Sequence, residues 1–160
     1  MKKIINIAPE GYRIILYTSF VWILFYLLSI YFEYSWIELA SAYLFYVLLI
    51  VCYFFRDPIR DVISNNDNFL SPADGKIVSI ESFEDAELGK SIKIAIFLSF
   101  FNVHRQWIPL NAKVIDSNYN PGKFFGAFKD KASEKNEQTS ILFSDINKNE
   151  FKIKQIAGFV

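Results

Sequence analysis

One histidine, and an aspartate thirty positions before it, are the side chains in this sequence best suited to moving a proton. His104 lies in FFNVHRQWIP, after the apolar run IKIAIFLSF, and Pro109 stops that run from continuing as a regular interior strand. Imidazole exchanges a proton near neutral pH without a large shift, so its functional reading is a general acid or base. The ordinary reading is a hydrogen-bonded structural histidine. Asp74 stands in SPADG (71–75). An Asp-Gly pair after proline is good turn chemistry, and the same carboxylate is suited to orient an imidazole and stabilise its protonated form. A third candidate stretch is PGKFFGAF (121–128). It reads either as a surface loop with core anchors or as a lipid-facing lip, with Lys123, Phe124 and Phe125 as candidates for substrate contact. Phosphate-binding glycine loops, paired histidines and His-Cys clusters are absent, so no metal site is expected.

Two apolar runs precede these residues. Ile14 to Phe32 and Leu39 to Phe55 carry no charge, and at 1.5 Å rise per residue each approaches the length that crosses a hydrocarbon layer of about 30 Å. The expected element is a transmembrane α-helical hairpin, residues 1–55, with helices over 14–32 and 39–55. A buried soluble hairpin and a re-entrant insertion are the alternatives. Lys2, Lys3 and Arg13 precede the first run, Arg56 and Arg60 follow the second, and only Glu33 and Glu38 lie between. That asymmetry predicts both ends on the cytoplasmic side of the cell membrane. Tyr31, Tyr34, Trp36 and Tyr53 suit the headgroup layer.

Residues 56–68, RDPIRDVISNNDN, are polar and interrupted by Pro58, and read as a linker. From 69 to 160 the segments are short and strand-like: GKIVSI, SIKIAIFLSF, AKVIDSNYN, SILFSDI and FKIKQIAGFV. Asp74-Gly75, Leu88-Gly89, Pro121-Gly122 and Asn147-Lys148-Asn149 supply turns, and KDKASEKNEQ (129–138) reads as a solvated loop or short helix. The expected second region is a mostly β domain, a sandwich or small barrel. Formal net charge is zero, with 17 basic and 17 acidic residues, which gives no basic stripe for nucleic acid. The lone Cys52 makes no disulfide within the chain and reads as a packed thiol.

Taken in order, FFRDPIR, LSPADGKIVSI, FFNVHRQWIPLNAKV, NPGKFFGAFKDKASEKNEQ and KIKQIAGFV resemble the short, bacterial and archaeal-type phosphatidylserine decarboxylases across most of residues 54–160. The resemblance implies a self-processing lyase of phospholipid biosynthesis. In that family a serine after glycine near the C-terminus attacks the preceding carbonyl, the zymogen splits into a large and a small subunit, and the serine becomes a pyruvoyl cofactor. Turnover of phosphatidylserine to phosphatidylethanolamine runs through a Schiff base with that group. The residues matching Asp74 and His104 are implicated in a Ser-His-Asp-type arrangement for the cleavage. The implied partners are phosphatidylserine, membrane lipid and the small pyruvoyl subunit, with a homo-oligomer left open.

Two departures from the family pattern stand out. Some relatives carry a second histidine where this chain has Trp107, so His104 is a candidate for both cleavage and turnover. No glycine here is followed by serine, and the closing segment that would continue beyond Val160 is expected to be missing. The β domain is therefore expected to be incomplete at its C-terminus, and the chain inactive as it stands. Two other readings stay open: a non-catalytic, membrane-anchored lipid-binding β module, and a decarboxylase of an archaeal-type phosphatidylserine analogue.

Overall fold

The computed structural model describes residues 5–60, 68–126 and 135–158. Most of the expected linker (61–67), the first part of the charged run (129–134) and residues 159–160 lie outside the described residues. The chain divides into two compact units, Met1–Val62 with Phe101–Gln106, and Ile63–Phe100 with Trp107–Val160.

The first unit is built on two helices, α1 (Gly11–Phe32) and α2 (Ser35–Phe54), flanked by strands β1 (Ile5–Ile7) and β2 (Arg56–Pro58). Both helices are longer than the uncharged runs suggest. Only Glu33 and Tyr34 separate them, and much of the expected Glu33–Glu38 loop is the first turn of α2. Glu38 suits that turn because a carboxylate complements the positive end of the helix dipole. Glu33 ends α1 in the left-handed region, at φ 53°, and its N–H donates to Ser29 O at 3.2 Å. Helices of 22 and 20 residues with this hydropathy are long and apolar enough to cross a membrane. Their apolar side chains point outward all round: Leu16, Phe20, Tyr31 and Leu39 are each at least two-thirds exposed. Two hydroxyls in α1 bond within the helix, Thr18 Oγ1 to Ile14 O and Ser29 Oγ to Tyr26 O. Trp22 packs on Phe45 across the pair, with ring centroids 5.2 Å apart.

At the open end of the hairpin, β1 and β2 pair antiparallel, with Asn6 opposite Asp57. Residues 56–58, expected to open a linker, therefore belong to this ladder. Gly11 is required beside it, because a Cβ there would sit 2.5 Å from Phe55 Cβ.

The second unit holds two separate antiparallel ladders. Strands β3 (Lys76–Asp85) and β4 (Gly89–Phe97) form a hairpin, and β5 (Ala112–Asn120), β6 (Gln138–Asp145) and β7 (Glu150–Ile156) form a sheet in that order. The turns fall where Gly and Asn/Asp chemistry called for them. Gly89 has φ 66°, and in the Asp145–Asn149 turn the Asp145 carboxylate accepts backbone N–H bonds from Asn147 and Asn149. The sheet is anchored by Phe143, which is buried and stacks on its cross-strand partner Phe151 at 5.0 Å, with Phe69 edge-on to Phe151. Lys152 on β7 bridges to Asp85 and Glu87 at the tip of the β3–β4 hairpin, at 2.5 and 3.1 Å. The expected mostly β region is thus present. Among the described residues no ladder joins β4 to β5, and neither ladder closes on itself.

Candidate functional site

His104 belongs to the first unit, in the segment Phe101–Gln106 that the chain contributes to the helical hairpin. The last turn of α2 and the start of β2 grip this segment residue by residue. Arg56 extends its guanidinium in two directions, Nη1 donating to Tyr53 O at 2.7 Å and Nη2 to Phe101 O at 2.6 Å. The guanidinium carbon lies 3.8 Å from the centre of the Tyr53 ring, and the Tyr53 hydroxyl donates to the same Phe101 carbonyl at 3.3 Å. Asp57 pairs with Arg105 at 2.6 Å. Val103 is buried, which turns the next side chain, half-buried His104, against the Phe54 ring at 4.4 Å between centroids.

The imidazole Nδ1 lies 3.0 Å from Asn102 O. A carbonyl oxygen only accepts, so Nδ1 carries the proton in the neutral ring and Nε2 keeps the lone pair. That tautomer suits a general base.

Asp74 belongs to the second unit and is half-buried in the turn that opens β3. Gly75, next to it, has φ 143°, and a Cβ there would lie 2.4 Å from Phe97 O. The turn is held from below by two backbone bonds, Leu70 N–H to Pro109 O at 3.2 Å and Trp107 N–H to Pro72 O at 2.8 Å.

Lys123, Phe124 and Phe125 also belong to the second unit. Lys123 and Phe124 are exposed, and the Lys123 ammonium lies 5.6 Å from the Phe125 ring centre. This loop is built on Asn136, which is 2% exposed. Its carboxamide accepts from Phe125 N–H at 2.9 Å and donates to Phe125 O and Ala157 O, each at 2.7 Å. Gly122 fits only as glycine, since a Cβ would meet the Asn136–Glu137 peptide at 2.4 Å. Phe125, in contrast to Lys123 and Phe124, is half-buried.

Sequence reasoning missed Tyr53, Arg56, Arg105 and Asn136. The arginine signal is present in FFRDP, where two opposite charges follow an apolar run directly, but topology, linker and family motif are what that stretch suggests, not a clamp on a distant segment. Asn136 carried no signal, since it sits in a charged stretch that looks solvated. Among the described residues no group of three or more His, Cys, Asp or Glu side chains is arranged to hold a metal ion.

Comparison with known proteins bears on this geometry. The phosphatidylserine decarboxylase family profile matches residues 47–160. The phosphatidylserine decarboxylase proenzyme of Rickettsia bellii (strain OSU 85-389) is 47% identical over 113 residues, covering 68% of this chain and 49% of the relative. That of Rickettsia africae (strain ESF-5) is 45% identical over the same length and with the same coverage. The chain spans about half the length of the curated relatives it matches. The matched stretch takes in the Arg56 clamp, the Asp74 turn, the His104 segment and the Asn136-built loop alike, and on that breadth the chain belongs to the phosphatidylserine decarboxylase family.

Proposed function

We propose that these 160 residues are the large-subunit region of a pyruvoyl-dependent phosphatidylserine decarboxylase, working on phosphatidylserine at the cytoplasmic face of the cell membrane. The observation that carries this reading is the family match over 47–160, with its only histidine in the Nδ1–H tautomer at the end of an apolar helix. His104 Nε2 is the general base that takes the serine hydroxyl proton in self-cleavage, and it returns a proton to carbon after carbon dioxide leaves. Asp74 is proposed as the carboxylate that stabilises the protonated imidazole by its charge, since Asn102 O already accepts from Nδ1. Support for pairing them comes from the family match, which takes in both SPADG and FFNVHRQ.

The outward Lys123 ammonium complements the lipid phosphate, and Phe124 offers an apolar face to the glycerol and upper acyl region. The pyruvoyl group, when formed, supplies a reactive carbonyl that draws electrons from the breaking bond. No Gly-Ser pair occurs in these residues, so its source is outside them. Of the residues here, His104 is chemically suited to serve such a group, with Nδ1 held by Asn102 O and Nε2 available for proton exchange. We read α1 and α2 as spanning the bilayer, supported by their length, their outward apolar side chains and their internally bonded hydroxyls. The two ladders of the second unit are read as parts of one β sandwich or small barrel.

The test is an extended chain in which these 160 residues run on into the C-terminal half of the Rickettsia bellii relative, expressed in membranes. Intact mass should show a small subunit blocked by a pyruvoyl group, and the membranes should convert phosphatidylserine to phosphatidylethanolamine. His104→Gln should lower self-cleavage at least about 100-fold. An uncleaved and inactive extended chain that still binds anionic vesicles would favour a non-catalytic lipid-binding module instead.

A further inference from the structure

The grip of residues 53–57 on the histidine segment forms a continuous chain of contacts. Near the C-terminus of α2, Arg56 Nη1 satisfies the Tyr53 carbonyl, which places a cation at the negative end of the helix. The other arm of the same rigid fork, Nη2, holds Phe101 O at 2.6 Å. Fixing that carbonyl fixes the Phe101–Asn102 peptide plane, and the next carbonyl, Asn102 O, is the one that accepts from His104 Nδ1. The Phe54 ring covers one side of the imidazole at 4.4 Å, and the Asp57–Arg105 pair secures the far side of the segment.

We propose that the end of α2 is part of the proton-transfer machinery, with Arg56 as the positioning residue that sets the tautomer and orientation of His104. This rests on the reading of His104 as the proton-transfer group. It makes the apolar helix more than a tether, since the base and the membrane segment share one hydrogen-bonded frame. Lysine in place of Arg56 keeps the charge and loses the two-armed reach, so the frame depends on arginine.

A single histidine makes the test direct. The 160-residue chain, labelled with ¹⁵N-histidine and held in lipid nanodiscs, has one imidazole to follow by NMR. With the ring neutral, the native chain should show a protonated Nδ1 and an unprotonated Nε2, with the ring protons shifted upfield by Phe54. Arg56→Gln should return the ring to the free-histidine mixture, in which Nε2–H predominates, and lose most of the upfield shift. Arg56→Lys should fall between. Phe54→Leu should lose the upfield shift and keep the tautomer, and it carries the test alongside Arg56→Lys if Arg56→Gln lowers helix content. In the extended chain, Arg56→Lys should lower kcat roughly tenfold and leave KM within about twofold.

An unchanged tautomer and ring shift in Arg56→Gln, or an unchanged ring shift in Phe54→Leu, would overturn the positioning role whatever the activity does. If the imidazole responds as expected but His104→Gln leaves turnover intact, the frame stands and the catalytic reading of His104 fails.

Discussion

At the scale of single residues, the firmest constraints are backbone ones. Gly75 combines φ 143° with a Cβ position 2.4 Å from a carbonyl oxygen, so Gly75→Ala meets both strain and collision. We expect it to cost at least about 1–3 kcal/mol, read as a lowered denaturation midpoint, and to displace Asp74 with it. An unchanged midpoint would mean that the turn relaxes freely. Asn136 works differently. Its carboxamide satisfies three backbone groups on two segments, and Asn136→Ala leaves the Phe125 N–H and two carbonyls without that partner. The expected loss is about 2–3 kcal/mol, with Asn136→Asp recovering only the bond from Phe125 N–H; equal stability of the alanine variant would sink the clamp. Of these two residues, the sequence made one legible. Asp-Gly after proline announces a turn through local chemistry alone. A buried asparagine announces nothing, because its partners lie 11 and 21 positions away and only the folded chain brings them together.

At the scale of elements, the Asp85–Lys152–Glu87 group ties the β3–β4 hairpin to β7. Both Asp85 and Lys152 are 11% exposed at the side chain. The Lys152 hydrogen bond, helped by the Glu87 backbone N–H, holds the Asp85 carboxyl down to about 2 from an ordinary 3.8. Burial alone would lower the Lys152 value, and the hydrogen bonds to Asp85 and Glu87 outweigh it. Because the folded value of Asp85 lies below the unfolded one, its contribution is complete above about pH 4 and is lost as pH falls through about 2. Asp85→Asn should therefore cost about 1–2 kcal/mol at pH 7 and flatten the loss of stability between pH 4 and 2. A parallel acid limb in the variant would assign that limb to other carboxylates.

The helices give the second element-scale expectation. Basic flanks at both ends and Glu33 and Glu38 at the turn predict that reporters fused after Asn65 report a cytoplasmic location and reporters inserted at Glu33 an external one. An external reporter after Asn65 would reverse the orientation.

Element type was readable from sequence wherever periodicity or apolarity was unbroken. AKVIDSNYN matches β5 residue for residue. Element ends were less readable. The helices take in Arg13 and Glu38, because a helix tolerates charge in its first turn, and β3 runs on through SFED, because β4 is there to pair with it. Polarity suggests a linker from residue 56, whereas the backbone of Arg56–Pro58 pairs with β1.

At the scale of the whole molecule, the 160 residues hold a proposed base in His104, a proposed carboxylate in Asp74 and no Gly-Ser pair. We expect the 160-residue chain alone, in membranes containing phosphatidylserine, to remain uncleaved by intact mass and to release no carbon dioxide above background. Turnover from it would show that the electron sink comes from somewhere other than a Gly-Ser cleavage. The family was legible because its motifs stand in order along the chain. The frame around His104 was not, since Phe101–Gln106 joins the hairpin across 45 or more positions of sequence, a distance at which neither spacing nor periodicity speaks.

The short β1–β2 ladder has a further consequence, for how the hairpin is assembled. Ile5–Ile7 and Arg56–Pro58 lie on opposite sides of both helices in sequence and are zipped together in the fold. A chain clasped this way forms a loop whose two ends must emerge on the same side of any barrier the helices cross. The clasp cannot close until α2 has followed α1 into place, so slow amide exchange at Ile7 would act as a seal, reporting that insertion of the pair is complete.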